Sequence, residues 1–362
     1  MAKPSIPFIH EDIRSAHTLP GTFYRNQAVY DQMQGELFNR NWNFVGYTEL
    51  LPEDGYAYPF TMLPNCLDEP LLLSRDRDSE IRCLSNVCTH RGTVVLKEAG
   101  KKRMLSCGYH GRCFRLDGSF KSMPGFDGVE NFPSASDHLK NLPLERIGPV
   151  LFSSLNPKYS FREIFGAMLD RLHWLPIDTM EFDPSTSTDY YLDAHWALYC
   201  DNYLEGFHIP FVHPGLNDAV TDDYTYELFP FCNLQLSIAE EGEPHFDVPV
   251  SSVDFGKKVY AYYYWVFPNL MFNWYPWGLS LNVVEPRGIN KTRVRFLSFK
   301  YKDTKHNILN NRLHQTEMED EAVVLDVQAG IQSQIYDRGR YSPTMEQGVH
   351  HFHQLLTNWL SE

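Results

Sequence analysis

The chain has 362 residues, of which 43% are hydrophobic and 14% aromatic, and its formal charge is −14. Such a composition supports a folded protein with a sizeable core and excludes a disordered chain. The acidic balance, with no basic stripe to offset it, excludes nucleic acid as a partner, because phosphate binding rests on clustered Lys and Arg.

In chain order, Met1-Ala2-Lys3-Pro4-Ser5 opens no apolar run of the kind a secretory signal needs. No stretch reaches the roughly 18 uncharged apolar residues of a spanning helix. A soluble, cytoplasmic protein with no membrane partner is therefore expected. Seven cysteines are an odd number spread over a long chain; they read as reduced thiols and ligands, not as a disulfide framework. Residues 1–41 form an expected N-terminal helical segment packing on the catalytic part, with Phe23, Tyr30, Met33 and Leu37 spaced along it. From residue 42 to about 155, short apolar runs alternate with Asp, Gly and Pro turn signals, the texture of a small all-β domain. Residues 156–362 mix helix-like stretches at 160–173, 197–209 and 307–336 with β-prone runs at 259–267 and 279–284. The expectation is an α+β chain whose second domain is an antiparallel sheet with long helices packed on it. No internal repeat interrupts this plan.

Two clusters of metal-ligating residue types stand out. The first is Cys88-Thr89-His90 followed by Cys107-Gly108-Tyr109-His110. Two thiolates and two imidazoles also satisfy a tetrahedral zinc site. Common zinc fingers, however, pair Cys with Cys and His with His. Here each half mixes the two and is closed by a glycine, Gly92 or Gly111, which lets the backbone turn tightly. The arrangement resembles the Rieske ferredoxin signature. That resemblance implies a [2Fe–2S] cluster with Cys88 and Cys107 on one iron and His90 and His110 on the other, the imidazoles raising its potential. The respiratory Rieske branch adds a cysteine to each loop, where this chain has Thr93 and Tyr109; the resemblance is therefore to the oxygenase branch. Arg112 departs from that branch, many members of which have Trp there.

The second cluster is Asn202-Tyr203-Leu204-Glu205-Gly206-Phe207-His208-Ile209-Pro210-Phe211-Val212-His213. Glu205 and His208, three apart, would share a helix face. His213, five beyond His208, needs a widened or broken turn, which Pro210 favours. A third ligand is expected from Glu319-Asp320-Glu321. Asp320 precedes Val323, Val324, Val327 and Ile331 by helical spacings and so lies on an apolar stripe, where a carboxylate is costly unless it binds a cation. Glu319, Glu321 and Asp326 lie further from the stripe and read as solvated or supporting groups. His208, His213 and Asp320 would make a 2-His-1-carboxylate site for mononuclear Fe(II), open to O2.

Together the two motifs resemble the catalytic subunit of Rieske non-haem iron oxygenases. The resemblance implies an all-β Rieske domain (42–155) followed by a helix-grip catalytic domain (156–362), assembled as a homotrimer. It implies that Glu205 bridges His208 to the cluster histidine His110 of a neighbouring subunit, carrying electrons between the irons. Asn202 is a candidate for supporting the ligands. Glutamate at 205, where aromatic-ring members often have Asp, is similar to the choline, glycine-betaine, carnitine and stachydrine oxygenase branch. So is the run Pro268 to Gly278. Trp274, Tyr275 and Trp277 within it are candidates for a substrate pocket, since aromatic rings attract quaternary ammonium groups. With no nucleotide-binding glycine motif in the chain, NAD(P)H would act through a flavin/iron–sulfur reductase or a ferredoxin. The expected activity is oxidation of a small organic substrate with O2 and two electrons, at an N-methyl or C–N carbon of a quaternary ammonium compound. The alternatives are an aromatic-ring hydroxylating dioxygenase and, in a different class, a Rieske electron carrier without chemistry of its own.

Overall fold

The computed structural model describes residues 3–213, 225–302 and 310–362, with side chains from residue 316 in the last segment. The chain divides into two compact units, residues 39–157 and residues 1–38 together with 158–362.

The first unit is built of eleven short strands. A five-stranded sheet is formed by β2 (Tyr56–Met62), β3 (Glu69–Arg75), β4 (Ile81–Ser85), β5 (Gly100–Lys101) and β9 (Asn141–Leu142), in the order β5-β2-β3-β4-β9. A small sheet joins β6 (Leu105–Ser106), β7 (Cys113–Phe114) and β8 (Phe120–Ser122). A third joins β1 (Asn43–Tyr47), β11 (Val150–Ser153) and β10 (Leu144–Ile147). The core gathers Leu72, Leu84, Leu105, Phe114 and Leu139 with Cys88 and Cys107. The two cysteines therefore hang from the core, while the loops that bear them reach outward.

The second unit contains an eight-stranded antiparallel sheet. Its strands are β12 (Met180–Phe182), β13 (Thr188–Leu192), β14 (Thr225–Phe229), β15 (Cys232–Ile238), β16 (Val259–Val266), β17 (Leu270–Tyr275), β18 (Gly278–Pro286) and β19 (Thr292–Tyr301). β14 to β19 pair in succession, and β12 and β13 both pair with β19. The β17–β18 turn requires glycine: Gly278 has φ +153°, and a Cβ there would meet the Phe299 carbonyl oxygen at 2.0 Å.

Among the described residues, seven helices accompany the sheet: α1 (Gly21–Arg25), α2 (Gln27–Gln32), α3 (Phe161–Arg171), α4 (Trp196–Tyr203), α5 (Ile209–Val212), α6 (Asn310–Gly330) and α7 (Gln347–Ser361). A π-helical turn, Met33–Phe38, follows α2. α3 begins with a capping box, Ser160 Oγ accepting from the Glu163 N–H and the Glu163 carboxylate from the Ser160 N–H. Its apolar side meets one sheet face, where Phe165 stands 6.2 Å from Phe272. The opposite face looks toward α4: the Tyr203 hydroxyl donates to Asn273 Oδ1 at 2.8 Å, and Gln235 donates to the Tyr203 carbonyl at 3.0 Å. α7 closes against the start of the chain, with Trp359 Nε1 donating to the Glu36 carbonyl at 2.7 Å. It also passes tightly by the end of α4, where Gly348 leaves no room for a side chain; a Cβ would lie 2.4 Å from the Leu204 carbonyl oxygen.

The antiparallel sheet with long helices matches the expected α+β architecture. Two helices differ in extent. The stretch read as one helix over 197–209 is broken after Tyr203, and Glu205 to Phe207 form a turn. The helix expected over 307–336 is described from Asn310 and ends at Gly330; residues 307–309 lie outside the described residues.

Candidate metal centres

In the first unit the two motif loops are built alike. The Cys88 N–H donates to the Thr93 carbonyl at 2.8 Å, and the Cys107 N–H to the Arg112 carbonyl at 2.8 Å. Within each loop the glycine N–H returns to the cysteine carbonyl, Gly92 at 3.0 Å and Gly111 at 3.1 Å. Both glycines sit at φ +72°, a conformation open to them because they lack a Cβ. Cys88 and Cys107 are buried, and the rings of His90 and His110 stand 4.8 Å apart on the more exposed side. Burial pushes the Cys88 thiol up, and the neighbouring Cys107 thiol adds to this; the backbone near His90 and the charge of Arg112 pull it down. Among the described residues, the one set of three donors within 4.8 Å of one another lies elsewhere in the chain. Two buried cysteines with two more exposed histidines fit a cluster with an inner iron on sulfur and an outer iron on nitrogen.

That set of three is His208, His213 and Asp320. α4 ends at Tyr203, so Glu205 and His208 meet across a turn and not along a helix face as the sequence suggested. The Glu205 carboxylate accepts from the N–H groups of Phe207 and His208, which organises the turn. Pro210 stands in the first turn of α5, where its missing N–H costs nothing; it helps start a new short helix and does not widen an old one. His213 caps the far end of that helix. Asp320 approaches from α6, with Oδ1 at 3.0 Å from His213 Nε2 and 3.3 Å from His208 Nε2. The other nitrogen of each ring is held by its own carboxylate: His208 Nδ1 by Glu205 Oε1 at 2.6 Å, and His213 Nδ1 by Glu319 Oε2 at 2.8 Å. Both rings are thus turned so that Nε2 faces Asp320.

Charges follow this geometry. Burial lowers the basicity of His208, but its bonds to Asp320 and Glu205 outweigh burial and raise it to about 9. His213 is raised chiefly by Asp320. Burial would raise Asp320, yet the two histidines hold it below its usual range. Two imidazoles and a carboxylate with converging lone pairs form the donor set of a non-haem Fe(II) site with open positions.

The phase of α6 differs from the sequence reading. Val327 is exposed, and the buried stripe runs Glu317, Glu321, Val324 and Ile331. Glu321, read as a group away from the stripe, is therefore buried on it. Glu317 was not anticipated: both its oxygens accept from the Tyr199 hydroxyl at 2.8 Å. Burial pushes it up to about 8; the Tyr199 bond opposes this, and Asp320 and Glu321 reinforce it. A helical wheel started at Val324 would have found both glutamates, had acidic residues been allowed to face inward.

The aromatic candidates separate. Trp274 is fully buried on the α3 side, stacked on Phe272, and so does not share the face that looks toward α4; strand alternation puts neighbouring residues on opposite faces. Tyr275 shares the face of Asn273, with Trp277 stacked on it at 4.9 Å and Tyr263 and Tyr260 each 5.9 Å away. Tyr260 reaches this group because it is the extra residue at a β-bulge. Asn202 lies half-buried in the last turn of α4, with no hydrogen bond to the three converging side chains among the described residues.

Comparison with known families agrees with both centres. The model of the Rieske [2Fe-2S] domain matches residues 41–133, and that of the ring hydroxylating alpha subunit (catalytic domain) matches residues 177–362. The chain belongs to the ring-hydroxylating alpha-subunit family and is a Rieske non-haem iron oxygenase. Among relatives, the chloroplastic choline monooxygenase of Arabidopsis thaliana is 29% identical, over 98% of this chain and 84% of that one. The carnitine monooxygenase oxygenase subunit of Escherichia coli (strain K12) is 27% identical over 95% of this chain and 94% of its own. The crystal structure of the quaternary ammonium Rieske monooxygenase CntA in complex with substrate L-carnitine has the same fold, with a TM-score of 0.77 at 23% identity over 96% of each chain.

Proposed function

We propose that this chain is the oxygenase subunit of a monooxygenase acting on a carbon bonded to the nitrogen of a small quaternary ammonium compound. The observation that carries the reading is similarity along nearly the whole chain, through both metal-binding halves, to enzymes named for choline and for carnitine. The grouped rings of Tyr263, Tyr275 and Trp277 on the sheet face toward α4 support it. Rings around a desolvated cation attract it by on the order of 2 kcal/mol. An overall acidic chain also favours the approach of a cation.

In this reading Cys88, Cys107, His90 and His110 hold the cluster, and His208, His213 and Asp320 hold the mononuclear iron. When bound, the cluster would store an electron and the mononuclear iron would activate O2. The chain's own residues do the rest. Glu205 and Glu319 hold the protons on the Nδ1 atoms of His208 and His213, leaving each Nε2 lone pair directed inward. Glu205 is also the proposed bridge to His110 of a neighbouring copy in a homotrimer. Electrons would come from NAD(P)H through a separate flavin/iron–sulfur reductase. The balanced reaction takes O2, two electrons and two protons, turns one C–H of an N-methyl group into C–OH and releases water. The hydroxymethyl ammonium then sheds formaldehyde and a proton, leaving the tertiary amine.

The test is reductase-dependent O2 uptake on choline, carnitine, betaines and aromatic acids, with aldehyde assayed. Aldehyde from a methylammonium substrate supports the proposal. A diol from an aromatic acid, with no product from any ammonium compound, reverses it.

A further inference from the structure

Among the described residues, no disulfide joins the two cluster loops. They are joined instead through one residue of a third segment. Thr89, between Cys88 and His90, donates its hydroxyl to the Asp137 carbonyl at 2.9 Å. Arg112, whose own carbonyl closes the second loop, donates Nη2 to the same carbonyl at 3.3 Å and to Asp137 Oδ1 at 2.6 Å. Asp137 is itself anchored: its Oδ2 accepts from the Ser134 N–H at 2.7 Å and the Ser134 hydroxyl at 2.9 Å, forming a capping box on the turn Ala135–Asp137.

The Arg112 side chain is only 2% exposed. Its guanidinium lies over the rings of Phe120, Phe132 and Phe114 at 5.0, 5.4 and 5.8 Å, with Met123 Sδ at 3.9 Å. The same aromatic group reaches the cluster side, because Phe126 packs at a tilt against Phe132 and sets its ring 5.5 Å from that of His90. A cation placed among rings is expensive to bury unless a carboxylate meets it; once met, the charge-assisted bond is short, strong and directional.

We propose that Arg112 and Thr89, hinged on Asp137, form a polar clasp that fixes the spacing of the two cluster loops. Arg112 is a positioning residue in this arrangement, acting through the loop that Cys107 and His110 share. Its buried positive charge has a second effect, holding the cluster potential higher than an apolar residue would. The inference rests on the cluster reading of Cys88, His90, Cys107 and His110.

The test compares the as-purified full chain with R112M, R112K and T89V. The readouts are the rate of chelator-driven bleaching of the cluster absorbance and the cluster reduction potential. R112M, which keeps bulk but loses charge and donors, should bleach on the order of 10-fold faster, in the range found for residues that support metal ligands. It should also have a lower potential. R112K restores the charge, so its potential should return toward wild type while bleaching stays intermediate. T89V, at an exposed position that tolerates the change, should bleach faster with its potential unmoved. Bleaching of T89V at the wild-type rate overturns the clasp even if R112M fails to fold. Wild-type behaviour of R112M in both readouts overturns it too. A wild-type chain lacking iron, acid-labile sulfide and visible colour would sink the cluster reading itself, and the clasp with it.

Discussion

Replacing Glu319 by alanine removes the carboxylate that holds His213 Nδ1 at 2.8 Å, on a histidine whose side chain is 2% exposed. A hydrogen bond to a charged group contributes about 1.5–3 kcal/mol. Glu319 itself is 31% exposed, so solvent screens part of this and the lower half of the range applies. At about 1.4 kcal/mol per factor of ten, the Fe(II) affinity of the mononuclear site should fall by roughly 10-fold. E319Q retains an acceptor oxygen but not the charge, and charge assistance accounts for about half the strength of such a bond. Its loss should therefore be only about 3-fold, giving the order wild type, E319Q, E319A. Competition with a chromophoric Fe(II) chelator measures this directly. The cluster absorbance, from the other unit of the chain, serves as the internal control. Equal affinities for wild type and E319A, with the cluster intact in both, would refute the claim that Glu319 orients His213.

Three further outcomes follow from the same geometry. In the iron-free protein His208 is raised to about 9 and so carries a proton at neutral pH, which iron must displace. Affinity for Fe(II) should therefore fall about tenfold for each pH unit below 9, more steeply once His213, also raised, takes up its proton, and level off above 9; a profile flat between pH 6 and 9 contradicts this. E205Q should keep iron and sulfide contents at wild-type levels while slowing reoxidation of the reduced cluster on the order of 10–100-fold, read by rapid mixing; unslowed reoxidation removes the bridging role. Glu317 is raised to about 8, mainly by burial, so its ionised form is penalised in the folded state. Without iron, wild-type stability should be fully present below the ordinary carboxyl range and decline as pH rises through about 8, whereas E317Q lacks that decline. Urea unfolding at pH 6 and 9 checks the sign, and a stability difference between the two proteins that is the same at both pH values would refute it.

The sequence by itself determined the kinds of donor and their local spacing. Cys88 with His90, Cys107 with His110, and His208 with His213 are each separated by a few residues, and Gly92 and Gly111 after the first two pairs and Pro210 within the third fix local backbone geometry whatever packs around it. The α+β plan was legible for a similar reason, since alternation and turn residues act over short windows. Tertiary structure decided which groups face each other. Glu319 lies 106 residues from the histidine it holds, and Arg112 lies 25 from Asp137; no local pattern encodes such pairings. The phase of α6 was set by Tyr199 of α4 and by the two histidines at the ends of α5, partners that stabilise inward carboxylates where an apolar stripe was expected. Trp274 was drawn to the other sheet face because alternation fixes which residues share a face, while only the helix laid against each face decides what that face does.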